Sequence, residues 1–269
     1  MDTGRLTSRR RFLCLTSGLA AGIALQAIPP SVLAAGKKEG KEKELGVNPI
    51  EDLMREHGVL RRVLLIYEEA ISRIKGAEEL PSGIIADSAR IIRRFVEDYH
   101  EKLEEDEIFP RFKKAGKLND LVKVLIVQHQ EGRRLTDSIL KLSEPEALKS
   151  TTTKEDSSPA MQQIYGGRPL FGDAPPFGKK GSYSKHDLSS AMQQFIYMYR
   201  PHAAREDTVL FPAFRSIVSP AEFNELGEKF EDRETELFGK KGFEKMVESV
   251  AEIEKKLGIN ELSIFTPKV

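Results

Sequence analysis

Tyr99-His100-Glu101-Lys102-Leu103-Glu104-Glu105-Asp106-Glu107-Ile108-Phe109-Pro110-Arg111-Phe112 is one of two copies of a single pattern. The other reads Pro201-His202-Ala203-Ala204-Arg205-Glu206-Asp207-Thr208-Val209-Leu210-Phe211-Pro212-Ala213-Phe214. Aligned without a gap, they share His, then Glu four residues on, an acidic residue, a branched aliphatic and Phe-Pro-x-Phe. Residues four apart lie on one helical face, so each copy presents an imidazole and a carboxylate from the same surface. Each is half of a metal-binding arrangement. Phe109-Pro110 is expected to weaken or kink its helix, because proline removes a backbone donor.

Outward from the repeat, every long periodic segment reads as a helix. Asn48-Pro49-Ile50-Glu51 supplies a cap, a first-turn proline and an early carboxylate, and Leu53, His57, Leu60 and Leu64 follow as one stripe. Ile92, Val96, His100 and Leu103 form the inner face of a second helix. Asn119-Asp120 opens a third, with Leu125, His129 and Ile139 inward and Gly132 leaving room beside the imidazole. A fourth starts near Ser184 and carries Leu188, Phe195, Tyr199 and His202 on its inner face. Ser219-Pro220-Ala221-Glu222 begins a fifth helix, and Gly242 to Leu257 reads as a sixth closed by Gly258. No run alternates as a strand would. The expected fold is all-α, an antiparallel four-helix bundle over 48–215 with additional C-terminal helices over 216–269. A long irregular loop at 143–184, rich in Ser, Thr, Pro and Gly, interrupts the bundle, with a short helical turn expected around Ala160 to Ile164.

The N-terminal residues belong to targeting rather than to the fold. Ser8-Arg9-Arg10-Arg11-Phe12-Leu13, a mildly apolar stretch to Ile28 and small residues at Ala34 and Ala35 resemble a twin-arginine export signal over 1–35. A flexible charged leader is expected over 36–47. The apolar stretch is shorter than the roughly 20 residues a span needs, so no stable membrane span is expected after the signal is removed. Setting the signal aside takes four arginines and one aspartate from 42 basic and 42 acidic residues, leaving 38 and 41. This mildly acidic balance excludes an electrostatic nucleic-acid footprint. The only cysteine, Cys14, lies in the signal, so the mature chain has no thiolate for a nucleophile or an iron–sulfur centre. Any metal must be held by nitrogen and oxygen.

The chain has five histidines, and four of them fall on the inner stripes of four successive helices. Each alone reads as a packed core histidine. Together with a Glu one turn after two of them, they read as ligands, because unpaired buried carboxylates and imidazoles are costly and a shared cation removes the cost. The candidate set is His57, His100, Glu104, His129, His202 and Glu206, with Glu101 and Asp207 as further candidates. Glu101 also reads as a solvated neighbour of His100, and His186 as a surface residue. Tyr99 and Tyr199 flank the histidines and read mainly as core. Six nitrogen and oxygen donors exceed one tetrahedral zinc site and suit two octahedral-leaning ions bridged by carboxylates.

These motifs make the segment from His57 to Phe214 similar to the hemerythrin-like (hemerythrin/HHE cation-binding) family. The resemblance implies a bundle holding two non-haem iron ions, with manganese or zinc as open alternatives. It implies binding of dioxygen, nitric oxide or iron itself, with any redox partner unspecified. Oxygen-carrying members place a second histidine one turn after the first on the third helix, where this chain has Arg133. They also use an Asp five residues after the last His, where Asp207 stands beside Glu206. The export signal adds a periplasmic location. The alternatives are a di-iron oxidase or peroxidase at the same pair, and a metal-free helical interaction module using the 143–184 loop.

Overall fold

The computed structural model describes residues 48–144 and 184–267, and all regular structure among them is helical. The signal, the leader and most of the 143–184 loop, including the turn expected near Ala160, lie outside the described residues.

Helix α1 spans Pro49–Lys75, and the Asn48 side chain accepts hydrogen bonds from the Ile50 and Glu51 amides at its start. The second helix, α2, is a run of Ile84–Ile91, Ile92–His100, Glu101–Leu103, Glu104–Ile108 and Phe109–Ala115, the second and fourth of which are π-helical. It ends at Gly116, whose φ of 65° is the left-handed conformation that glycine adopts without a Cβ penalty. Helix α3 spans Asn119–Leu142. Helix α4 is built like α2, from Lys185–Arg205, a π-helical Glu206–Leu210, and Phe211–Phe214, and starts with a reciprocal Ser184/Asp187 capping box. Helices α5 (Pro220–Phe238) and α6 (Gly242–Leu257) follow, and a short 3-10 turn, Leu262–Phe265, ends the described chain.

The prolines of the repeat do not break their helices. Pro110 has no N–H and its ring crowds the carbonyl one turn back. The wide turn before it relieves that crowding: the Phe109 amide bonds the Glu104 carbonyl, and the Phe211 amide bonds the Glu206 carbonyl in the matching place. Each of these two π turns begins at the glutamate of a His-x-x-x-Glu pair, so the widened backbone of Phe-Pro lies at the carboxylates.

α1 packs on α4, α4 on α3, and α3 on α2, so the inner stripes face a common interior. Phe109, Phe112, Phe211 and Phe214 are all buried at one end of it. Phe112 meets Phe214 at 5.9 Å between centroids. Fully burying one such side chain contributes about 1.5–3 kcal/mol, so the two Phe-Pro-x-Phe motifs weld α2 to α4 where the helices are locally wide. Helices α5 and α6 cover α1 from outside. Arg62 grips Glu254 through Nε at 2.8 Å and Nη2 at 2.6 Å, and Arg73 donates to the Leu257 carbonyl. No described helix is long and apolar enough to cross a membrane.

Candidate metal centre

Two histidine pairs meet inside the four-helix interior. His57 of α1 and His100 of α2 have ring centroids 4.7 Å apart, and His129 of α3 and His202 of α4 have theirs 5.0 Å apart. Glu104 and Glu206 lie between the pairs, and all six side chains are nearly inaccessible to solvent. Glu206 Oε2 is 3.3 Å from His57 Nε2 and 3.1 Å from His202 Nε2. Glu104 approaches His100 Nε2 at 3.8 Å through Oε1 and His129 Nε2 at 3.4 Å through Oε2. Each carboxylate therefore touches both pairs.

Each imidazole is fixed from behind. His57 Nδ1 donates to Asp207 at 2.7 Å, His100 Nδ1 to Glu56 at 2.9 Å, His129 Nδ1 to Glu105 at 3.1 Å, and His202 Nδ1 to the Gln128 side-chain oxygen at 3.0 Å. A carboxylate or amide oxygen in these places accepts, so Nδ1 carries the proton and every neutral ring presents an Nε2 lone pair inward. The consequence is sharpest between His57 and His100, whose Nε2 atoms face each other at 3.2 Å. Two lone pairs at that separation repel unless a proton or a cation lies between them. Beyond these partners, Arg61 pairs with Asp207 and Arg133 with Glu105.

The arrangement is a pseudo-twofold. Superposing His57 on His129 and His100 on His202 in the sequence places Glu56 on Gln128, Arg61 on Arg133, Glu104 on Glu206 and Glu105 on Asp207. The contacts follow: Phe211 lies 5.6 Å from the His57 ring and Phe109 lies 5.4 Å from the His129 ring.

The electrostatics describe a site short of positive charge. Burial works to lower the His57 pKa, yet the Asp207 and Glu206 carboxylates outweigh it and hold it up at about 9. Burial pulls His129 down to about 4 and also lowers His100. The Glu104 carboxyl is pushed well above the usual carboxylate range by burial and by the facing Glu206. Glu206 goes the other way, since His202 and His57 overcome the effect of burial. Both oxygens of Glu104, both of Glu206 and Nε2 of His129 are buried without a hydrogen-bond partner. Their close approaches lack hydrogen-bond alignment, and leaving such atoms unmatched costs about 1–3 kcal/mol each. Cations held between these side chains would offer such atoms partners. Donor atoms of Glu104, His129, His202 and Glu206 lie within 4.8 Å of one another, as do those of His57, His100 and Glu104, so Glu104 belongs to both groups.

The two further candidates stand differently: Asp207 lies behind an imidazole, whereas donor atoms of Glu101, Glu105 and His129 form a third group within 4.8 Å of one another. Asp207 is half-buried behind His57 and engaged by Arg61. Glu101 is not a solvated neighbour: it is 1% exposed, accepts from the Tyr199 hydroxyl at 2.6 Å and faces Arg133 at 2.9 Å. Tyr99 donates to Glu56 at 3.2 Å, so both tyrosines are core residues tied to the ring around the site. The space left by Gly132 is filled by the end of the Tyr199 phenol rather than standing open beside His129. His186 is exposed. Sequence reasoning missed Glu56, Glu105 and Gln128 as partners of the imidazoles. The available signal was the pair of aligned dipeptides Glu56-His57 and Gln128-His129.

Residues 48–159 match the family model described as Hemerythrin HHE cation binding domain. The match spans His57, His100, Glu104 and His129 and ends before His202 and Glu206, which the fold brings to the same place. Uncharacterized proteins of Mycobacterium bovis and Mycobacterium tuberculosis are each 42% identical to this chain over 262 residues, covering 96% of it and 91% of their own length. No solved structure matches. The chain belongs with these mycobacterial proteins to one family, and its residues 48–159 carry a hemerythrin HHE cation-binding domain.

Proposed function

We propose that this protein is a non-haem di-iron protein of hemerythrin type that binds dioxygen, nitric oxide or a related small ligand. In this reading α1 to α4 form the antiparallel four-helix bundle. His57, His100, His129 and His202 would hold the ions through nitrogen, and Glu104 and Glu206 through carboxylate oxygen. Asp207 and Glu105 orient imidazoles, and Glu101 ties Tyr199 to Arg133. The observation that carries the reading is the inward convergence of four Nε2 atoms on two carboxylates whose buried oxygens have no hydrogen-bond partner. Nitrogen and carboxylate donors without thiolate suit iron and also accept manganese or zinc.

When bound, such ions supply open coordination positions and redox capacity. The protein's own part is to hold the rings by Nδ1, to exclude water with Phe109 and Phe211, and to keep a proton on His57 between Asp207 and Glu206. With Arg133 where a fifth histidine would stand, the nitrogen set is smaller than an oxygen carrier's, which favours exchange of small ligands over saturated carriage. The twin-arginine pattern at 1–35 supports export of the folded, metal-loaded chain to the periplasm.

The test is metal analysis of protein purified from its native compartment without added metal. About two iron ions per chain, with iron–ligand charge-transfer absorption that nitric oxide alters, are expected. A folded, metal-free protein that takes up no iron on reconstitution refutes the reading. A second reading, a di-iron oxidase or peroxidase, is favoured by Tyr199, whose ring lies 5.3 Å from that of His202 and whose hydroxyl donates to Glu101. Reductant-dependent turnover of hydrogen peroxide, lost in Glu104→Ala, distinguishes it.

A further inference from the structure

The pseudo-twofold relates two seams that flank the candidate metal centre, and they are built from opposite chemistry. Between α1 and α4 runs a groove of about 270 Å³ lined by Arg61, Leu64, Leu65, Tyr199, Arg200 and Ala203. Its floor is Leu64, Tyr199 and Ala203, each at most 3% exposed. Ala203 directly follows His202 and precedes Glu206 by one turn, so a methyl group of the groove floor adjoins two candidate ligands along α4. The two guanidiniums at the rim are already paired, Arg61 with Asp207 and Arg200 with Glu68. The groove therefore offers a carbon-lined floor, with both rim guanidiniums already paired and not free to trap anions.

In the seam between α2 and α3 the corresponding positions are Arg133 for Arg61, Thr136 for Leu64, Glu97 for Tyr199 and Glu101 for Ala203. These side chains are cross-linked. Arg133 reaches Glu101 at 2.9 Å and Glu105 at 2.7 Å, Thr136 donates to Glu97 at 2.5 Å, and Arg93 meets Glu97 at 2.8 Å. Glu97, Glu101 and Thr136 are buried. Passage here would require opening buried, charge-assisted hydrogen bonds. One seam is a groove over a methyl group, and its twin is filled by an acidic, salt-bridged plug.

We propose that small uncharged ligands enter and leave the metal centre through the α1/α4 groove over Ala203, and that the α2/α3 seam is sealed. The route rests on the di-iron reading and extends it by naming the gate. Apolar diatomics such as nitric oxide and dioxygen suit a carbon-lined floor, whereas displacing the buried polar groups of the other seam from their partners is costly. Tyr199 has two roles in this design. Its ring forms the groove floor, and its hydroxyl, bonded to Glu101, joins that floor to the plug.

The test is stopped-flow binding of nitric oxide to iron-loaded protein carrying Ala203→Val or Ala203→Phe, with Thr136→Val as the variant of the other seam. Filling the groove floor is expected to slow association by about ten- to a hundredfold, within the decades over which mutation moves association rates. Dissociation should slow with it, so that equilibrium affinity changes much less, while iron content stays at the wild-type level. Thr136→Val should bind at the wild-type rate. Independently of metal, crystals of the iron-free protein under pressurised xenon should show xenon over Leu64 and Ala203, and Ala203→Phe should abolish it. Unchanged association in both Ala203 variants at full iron content, or no xenon in the wild-type groove, overturns the route alone. Wild-type protein that takes up no iron refutes the underlying reading and the route with it.

Discussion

Gly132→Ala sets two effects of opposite sign against each other. Alanine in the interior of α3 should stabilise the helix by about 1 kcal/mol relative to glycine. Here, however, an added Cβ would overlap the Tyr199 hydroxyl and stand 2.7 and 2.9 Å from two of its ring carbons. The end of a side chain can often yield at little cost. This one cannot: Tyr199 is 1% exposed, its ring packs on Phe195 at 4.3 Å, and its hydroxyl is held by Glu101 at 2.6 Å. Overpacking costs about 1–3 kcal/mol, and losing a buried hydrogen bond to a carboxyl costs about 1–3 kcal/mol more. The net expectation is a destabilisation of about 3 kcal/mol, read as a lower urea midpoint in the metal-free protein. Adding Tyr199→Phe should recover only part of the loss, because the ring carbons remain too close; the two changes are in contact and should not add. A Gly132→Ala protein as stable as wild type, or more so, refutes the claim that Tyr199 occupies the space this glycine leaves.

Two other predictions concern groups that hold the site without entering it. Burial pushes the Glu97 carboxyl up to about 7 from an ordinary value of 4.5, with the Thr136 hydroxyl and Arg93 opposing. Its folded-state pKa lies above the unfolded one, so stability should fall as pH rises from 4.5 through about 7. Glu97→Gln should flatten that slope in pH-dependent urea denaturation, approaching an advantage of about 3 kcal/mol above pH 7; an unaltered slope would show that Glu97 titrates normally. Gln128→Ala frees Nδ1 of His202 and should weaken metal affinity by about 10- to 100-fold in a chelator competition, whereas wild-type affinity would mean that the ring needs no such anchor.

The helices and the inward histidines were legible because both are periodic. His57 shares a stripe with Leu53, Leu60 and Leu64, and buried stripes are what helical spacing encodes. The caps at Asn48 and Ser219 were legible for a similar reason, being local hydrogen bonds between neighbours in sequence. The ring around the site was not. Glu56 turns away from His57, its sequence neighbour, and meets His100 on another helix; Gln128 likewise serves His202. Such pairings depend on the axial register of two helices, which one helix's periodicity does not contain. Glu101 failed for a related reason. Its burial comes in part from other helices, with Arg133 and His129 of α3 and Tyr199 of α4 closing on it.

Charge balance bears on the proposed occupancy by two cations. Glu104 and Glu206 at the centre, with Glu56, Glu105 and Asp207 behind the imidazoles, make five carboxylates. Arg61 and Arg133 answer two of them. Glu101, pushed by burial well above the usual carboxylate range, adds little negative charge. A deficit of about three charges is left inside a closed interior, where unscreened repulsion is costly. Without metal the protein meets it with protons, one on His57 and one favoured on Glu104, which fill single positions and leave the other buried oxygens without partners. Two divalent ions would bring the sum near zero and satisfy those oxygens together. The residue that departs from the pseudo-twofold in the ring, neutral Gln128 opposite Glu56, tunes the same balance. Glutamate there would add a sixth carboxylate beside His202 and deepen the charge deficit of the interior.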